Sequence, residues 1–153
     1  IGRARIVQLV NKSNQFNLTT KRYNENEIKN FEENEKFYTC QIRLKDQLGD
    51  NGMICVIICK KNIKFWEIDT WLMSCRVLGR KVEIATLQNI IQNARNNRVD
   101  KLIGFYHKTE RNGLVKDHYK KLGFNKTSGN NQNEIWELNI KNYKIKEMPM
   151  FKK

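Results

Sequence analysis

Apolar and polar positions along the chain sort it into a succession of helices and strands. Ile6, Val7, Leu9 and Val10 recur at helical spacing within Arg3–Asn14, so the chain opens on a helix, which Ser13, Asn14 and Asn17 end. Thr19 and Thr20 form a polar turn. Asn24 with Glu27 three residues on is a capping-box signature, and it predicts a short helix reaching about Asn34. From Phe37 the period changes. Phe37–Leu44 is rich in β-formers and alternates after Tyr38. Met53–Cys59 is a continuous apolar run suited to a strand buried on both faces. Ile63–Met73 predicts a third strand, long enough to need a bulge or bend. Turns at Gly49-Asp50-Asn51-Gly52 and Lys60-Lys61-Asn62 join the three into an antiparallel meander.

Beyond a glycine loop at Gly79, Val82–Asn97 carries Val82, Ile84, Ala85, Leu87, Ile90, Ile91 and Ala94 mostly on one helical stripe. Leu102–Tyr106 is a short apolar strand. Asn112–Lys121 predicts an amphipathic helix through Leu114, Val115 and Tyr119, with Gly123 just past its end. Phe124 and Ile135–Ile140 supply the closing strands. The tail from Lys141 holds the only proline, Pro149, and is expected to be loose. A meander followed by alternating strands and helices implies an α/β (α+β) fold: a mixed, mostly antiparallel central sheet with helices on its faces.

The 153 residues suit one domain. We divide it into N-terminal helices over 1–34, the meander over 35–75 and a loop with a βαβ part over 76–140; a charged tail occupies 142–153. The start at Ile1 instead of Met is expected of an excised fragment. The longest apolar run is too short to span a bilayer. Cys40, Cys55, Cys59 and Cys75 form no C-x-x-C pair, and His107 and His118 are not at zinc-ligand spacing with them, so no metal is expected. Reduced core thiols in a cytoplasmic protein are the expectation. The net charge of +13 favours anionic partners: nucleic acid, an acidic carrier protein or a nucleotide-bearing cofactor. No nucleic-acid-binding motif accompanies it, so nucleic acid is not the expected partner.

The chemistry concentrates at Trp71–Glu83, where a strand runs through a short loop into a helix. A helix N-terminus presents unpaired N–H groups to an anion. Arg76, Arg80 and Lys81 add positive charge there, and Gly79 permits close backbone approach. An ordinary strand-to-helix turn with solvated cations is the alternative. Arg76-Val77-Leu78-Gly79-Arg80-Lys81 resembles the acyl-coenzyme A loop R/Q-x-x-G-x-G/A of the GNAT superfamily, with Lys81 standing where a small residue is expected. Asn112, Tyr119 and Leu122-Gly123-Phe124 resemble a second GNAT motif. The resemblance covers roughly Phe37 to the closing strands. It implies a GNAT fold with helices on both faces of a sheet splayed between its central strands. The arm of coenzyme A or of a phosphopantetheine thioester would pair with the opened edge of Ile63–Met73. Arg76–Lys81 and Asn112 would hold the cofactor, and Tyr119 would stand near the sulfur and protonate a departing thiolate. Tyr119 as a core aromatic with a backbone partner is the other reading.

Gln8–Tyr23 and Leu72–Arg80 further resemble segments of FkbH-like proteins. These pair a HAD-type phosphatase-like domain with a C-terminal GNAT-like domain and load a glyceryl unit from 1,3-bisphosphoglycerate onto an acyl carrier protein. The aspartate signature of the HAD half is absent, as expected if only the C-terminal part is present, and that half is expected upstream. The expected partners are therefore an acidic acyl carrier protein and an upstream HAD-like domain of the same chain, with no membrane. Glu67 and Asp69 share one face of the strand lining the implied acyl site, so either is a candidate general base; pairing with nearby Lys or Arg is the alternative. Cys75 precedes a helix start beside Arg76, a setting that activates thiols, and is a candidate acyl-relay nucleophile or an inert buried thiol. The whole reads as an acyltransferase module. A carrier-docking module without catalysis and an acetyl-coenzyme A-dependent N-acetyltransferase are the alternatives, and Lys81 leans toward the first.

Overall fold

A computed structural model of the chain describes residues 3–12, 16–46, 49–74 and 82–145. Helix α1 spans Arg3–Lys12 and α2 spans Glu25–Glu33. The capping box forms as expected: Asn24 Oδ1 accepts from the Glu27 amide at 2.9 Å, and Glu27 Oε1 accepts from the Asn24 amide at 3.3 Å. Strands β1 (Phe37–Asp46), β2 (Gly49–Lys61) and β3 (Phe65–Met73) make the antiparallel meander. Helix α3 (Val82–Asn96), strand β4 (Lys101–His107), a 3-10 turn (Gly113–Val115), helix α4 (His118–Lys121), β5 (Asn125–Gly129) and β6 (Asn133–Asn139) follow.

The sheet runs in the order β1-β2-β3-β4-β6-β5. Only β3 and β4 pair in parallel among these strands. The sheet is therefore mixed and mostly antiparallel, with α1 and α2 on one face and α3 and α4 on the other. Ile6 and Ile28 pack on Val56, Ile58 and Leu72 on the first face. Val82, Leu87, Ile90, Ile91 and Ala94 of α3 share the larger core on the second with Trp66, Ile68, Trp71 and Tyr119. Cys55–Cys59 are buried throughout, as a strand covered on both faces requires. Burial pushes the Cys55 and Cys59 thiols well above their ordinary pKa, so neither is a nucleophile.

Three expectations change. Gly49–Gly52 is not a turn but the start of β2: Asp50 pairs with Lys45 and Gly49 with Asp46. Register shifts beside Arg43 mark an irregular ladder, where turn-type residues are tolerated. Asn112–Lys121 is not one helix but a 3-10 turn and a single α-turn; Leu114 is 56% exposed while Val115 and Tyr119 are buried. The tail is docked in its first residues: the Arg95 guanidinium donates to the carbonyls of Ile140, at 2.7 Å, and of Tyr143. The expected bulge in the third strand is present where Thr70 pairs with Ile58 and Ile68 with Cys59, leaving Asp69 as the extra residue.

Candidate functional site

Strands β3 and β4 pair only from Phe65↔Lys101 to Ile68↔Gly104. Beyond Gly104 they diverge into a fork. The free edges do not stay bare, because buried backbone groups need partners. Phe16–Thr19 lies between them. The Leu18 amide donates to the Trp71 carbonyl at 3.3 Å, the Met73 amide to the Phe16 carbonyl at 3.1 Å, and the His107 amide to the Leu18 carbonyl at 2.8 Å. Thr19 Oγ1 donates to the Asp69 carbonyl at 2.9 Å. Phe16, Asn17, Leu18 and Thr19 are all buried.

On the α1/α2 face the fork opens into a cavity of about 330 Å³ lined by Thr19, Lys21, Lys60, Glu67, Asp69, Phe105 and His107. Glu67 and Asp69 thus share one site. Their environments differ. The Asp69 carboxylate accepts from Lys21 Nζ at 2.5 Å, Tyr23 Oη at 2.7 Å and Thr70 Oγ1 at 2.9 Å. Its lone pairs are committed. Glu67 receives one long contact, from Asn62 Nδ2 at 3.4 Å, and its register partner on β2 is Lys60. Glu67 is therefore the carboxylate with room to take a proton from a substrate. Across the cavity, burial and then Lys21 lower the His107 pKa, with Asp69 opposing, which keeps the imidazole neutral at physiological pH.

Tyr119 lies on the opposite face. Its ring covers Gly104 so closely that a Cβ there would sit 2.4 Å from ring atom Cζ. Its hydroxyl is buried without a fully formed hydrogen bond. Burial pushes its pKa up, and the Phe105 backbone pulls only partly the other way. The sheet therefore separates Tyr119 from the two carboxylates. Asn112 is fully buried and spends its amide internally. Nδ2 donates to the carbonyls of Asn17, at 3.1 Å, and His107, at 2.8 Å, while Oδ1 accepts from the Thr109 amide at 2.8 Å. In this state the side chain expected to hold a cofactor arm holds the segment lying in the fork. Cys75, Arg76, Val77, Leu78, Gly79, Arg80 and Lys81 lie outside the described residues.

No protein-family model matches the chain, and no curated protein matches it in sequence. Solved structures do match in shape. The ribosomal-protein-S18-alanine N-acetyltransferase from Escherichia coli aligns with a TM-score of 0.67 at 13% identity, covering 94% of this chain and 93% of that one. The GNAT domain of S. lividans PAT gives a TM-score of 0.67 at 12% identity, covering 90% and 85%. The PaiA N-acetyltransferase from Thermoplasma acidophilum, in complex with coenzyme A, gives 0.57 at 16% identity over 75% and 68%. The fold is that of the GNAT acetyltransferases. The fork between β3 and β4 is the splay expected of a GNAT sheet.

Sequence reasoning missed several groups at this GNAT-type fork. Phe105 and His107 have the parity of β4 that faces the cavity, and alternation along Lys101–His107 was the signal that could have found them. Lys21 reaches Asp69 from 48 residues away, which no local pattern announces. His118 and Trp71, packed beside Tyr119, carried no signal beyond their place in the quoted segments.

Proposed function

We propose that this chain is an acyltransferase domain that works on a phosphopantetheine or coenzyme A thioester. The observation that carries the reading is the fork of a GNAT-fold sheet opening onto a cavity in which Glu67 is the uncommitted carboxylate. In this reading an acceptor enters from the α1/α2 face, Glu67 takes its proton, and Tyr119 serves the sulfur from the other side. Arg76–Lys81 and the start of α3 hold the pyrophosphate or phosphate. The finer assignment, from the resemblance of Gln8–Tyr23 and Leu72–Arg80, is glyceryl transfer to an acidic acyl carrier protein within an FkbH-like enzyme. The +13 charge suits that partner by steering encounter more than by tightening the complex.

The fit to a pantetheine arm has support within the fork and on its α3/α4 face. Buried nitrogens of Trp71 and His118 lack partners beside the fork, and the fork edges are bonded by an extended peptide as they would be by an arm. The same peptide favours a second reading, a GNAT-fold module that docks a carrier protein without catalysis, because Phe16–Thr19 fills the fork. Transfer assays separate the two. Acyl transfer from a coenzyme A or carrier thioester, lowered about a hundredfold or more by Glu67→Gln with binding intact, is expected of the enzyme. Carrier binding without transfer is expected of the docking module. Either complex should weaken as salt rises, since exposed charges are screened over about 8 Å at physiological ionic strength.

A further inference from the structure

Phe16–Thr19 bonds to both arms of the fork at once. Its carbonyl and amide groups at Phe16 and Leu18 pair with Met73 and Trp71 on β3, and the Leu18 carbonyl takes the His107 amide from β4. The bridge between Asn17 and Leu72 is antiparallel. Asn112 adds a bond to the Asn17 carbonyl. The segment thus has the bonding pattern of an extended, amide-bearing chain laid into an open sheet edge. Beneath it, the Phe16 ring meets His118 edge-on at 5.0 Å, His118 meets Trp71 at 4.3 Å, and Tyr119 lies 5.2 Å from His118. Trp71 Nε1 and His118 Nε2 are buried without a hydrogen-bond partner, and Tyr119 Oη meets only the Phe105 backbone, short of a full hydrogen bond. Unpaired buried polar atoms are rare and costly singly. Two unpaired atoms and one weakly held hydroxyl in one ring cluster, which Phe16 joins through His118, point to a packed state in which these groups are not fully satisfied.

We infer that Phe16–Thr19 is a displaceable strap standing in the place of an extended amide-bearing arm, and that Trp71, His118 and Tyr119 form the wall that hydrogen-bonds the arm once Phe16 leaves. This rests on the pantetheine reading above, since pantetheine is such an arm. The exchange conserves the ladder: arm carbonyls take over the Met73 and His107 amides, an arm amide takes over the Trp71 carbonyl, and Asn112 turns from the Asn17 carbonyl to the arm. The wall then gains the partners it lacks. The strap makes the fork self-occupied until a ligand with matching amides competes for it.

Amide hydrogen exchange of the 153-residue chain, with and without coenzyme A, tests this. With coenzyme A bound, the Leu18 amide should exchange about tenfold faster or more, because the strap carrying it has left, while the Met73 and His107 amides stay protected. Phe16→Ala, which loosens the strap, should bind coenzyme A about tenfold more tightly than the wild-type chain. His118→Phe keeps an aromatic ring, though a larger one, and removes both nitrogens; it should bind about fivefold more weakly. If coenzyme A binds and the Leu18 amide keeps its protection, the strap is permanent and the inference fails while the pantetheine reading stands. If coenzyme A binds neither the wild-type chain nor Phe16→Ala, the pantetheine reading fails and takes the strap with it. The exchange measurement on the wild-type chain decides even where Phe16→Ala does not fold.

Discussion

The two faces of the fork treat their polar groups in opposite ways. On the α1/α2 face, Asp69 gathers three donors, Lys21, Tyr23 and Thr70, into one network at the edge of a cavity. On the α3/α4 face, Trp71, His118 and Tyr119 crowd together, the first two with unpaired nitrogens and the third with a hydroxyl short of a full hydrogen bond. Both faces hang on the same strands. Under the strap inference, the difference separates the part of strand β3 finished as structure from the part that a bound arm completes. A paired carboxylate on a central strand stabilises the segment it binds, here the turn through Lys21 and Tyr23. An unpaired imidazole in an apolar wall only costs free energy until a partner arrives.

The largest expected effect comes from pH, through His118. Burial, with Lys121 adding, lowers its pKa to about 3. Above pH 6.5 the imidazole is neutral in both folded and unfolded chains and has no effect on their balance. Below it the unfolded chain takes up the proton and the folded chain refuses it. Stability therefore falls as pH drops from 6.5 toward 3, by about 1.4 kcal/mol per pH unit at most and by about 3 kcal/mol by pH 4. Urea denaturation across that range should show the slope, and His118→Phe should remove one proton's share of it. An unchanged slope in the variant would mean that His118 meets solvent or a partner in the folded state.

Next in size is Gly104→Ala. A Cβ at Gly104 would meet three Tyr119 ring atoms at 2.4 to 2.8 Å, so either the ring or β4 must shift. Overpacking of this kind costs about 2–3 kcal/mol in chemical denaturation. A neutral result would show that Tyr119 has space to move, and the face would be looser than its burial implies. Asp69→Ala should follow at about 2 kcal/mol, because it removes the carboxylate that the Tyr23 hydroxyl, Thr70 and Lys21 all donate to. Burial and the bond to Asp69 hold the Tyr23 pKa above its ordinary value, so the hydroxyl stays a donor at all working pH. Glu67→Ala, with its one long contact, should change stability far less, and equal losses at the two positions would erase the distinction drawn between the carboxylates.

Much of the architecture was legible because its signals are local. Asn24 and Glu27 announce α2 by capping chemistry, and Val82–Asn96 announces α3 by its stripe. The length of Ile63–Met73 announced a bulge, and Asp69 is its extra residue. What was not legible depends on where pairing stops. Nothing near Gly104 says that β3 and β4 part after it, and nothing in Phe16–Thr19 says that a polar-looking turn is buried between them. The single helix read over Asn112–Lys121 failed because the buried Asn112 is held from outside the segment, by the fork, and not by helical spacing. Gly104 itself was a missed clue: a glycine inside a strand marks a close approach, and Tyr119 is what approaches.

The smallest effect is the most discriminating. Tyr119→Phe removes only the hydroxyl, and the ring over Gly104 remains. A satisfied buried hydroxyl contributes about 1 kcal/mol, whereas one that is buried and unpaired costs free energy, so its removal should leave stability unchanged or raise it by up to about 1 kcal/mol. Burial keeps this hydroxyl protonated well past neutral pH, which is the state needed to hand a proton to a leaving thiolate. Under the proposed function, the same substitution should lower acyl transfer while the denaturation midpoint holds or climbs. A fall in stability of about 1 kcal/mol or more would instead assign the hydroxyl to the Phe105 backbone as a structural bond. In that case the contrast between a completed and an incomplete face would reduce to Trp71 and His118 alone.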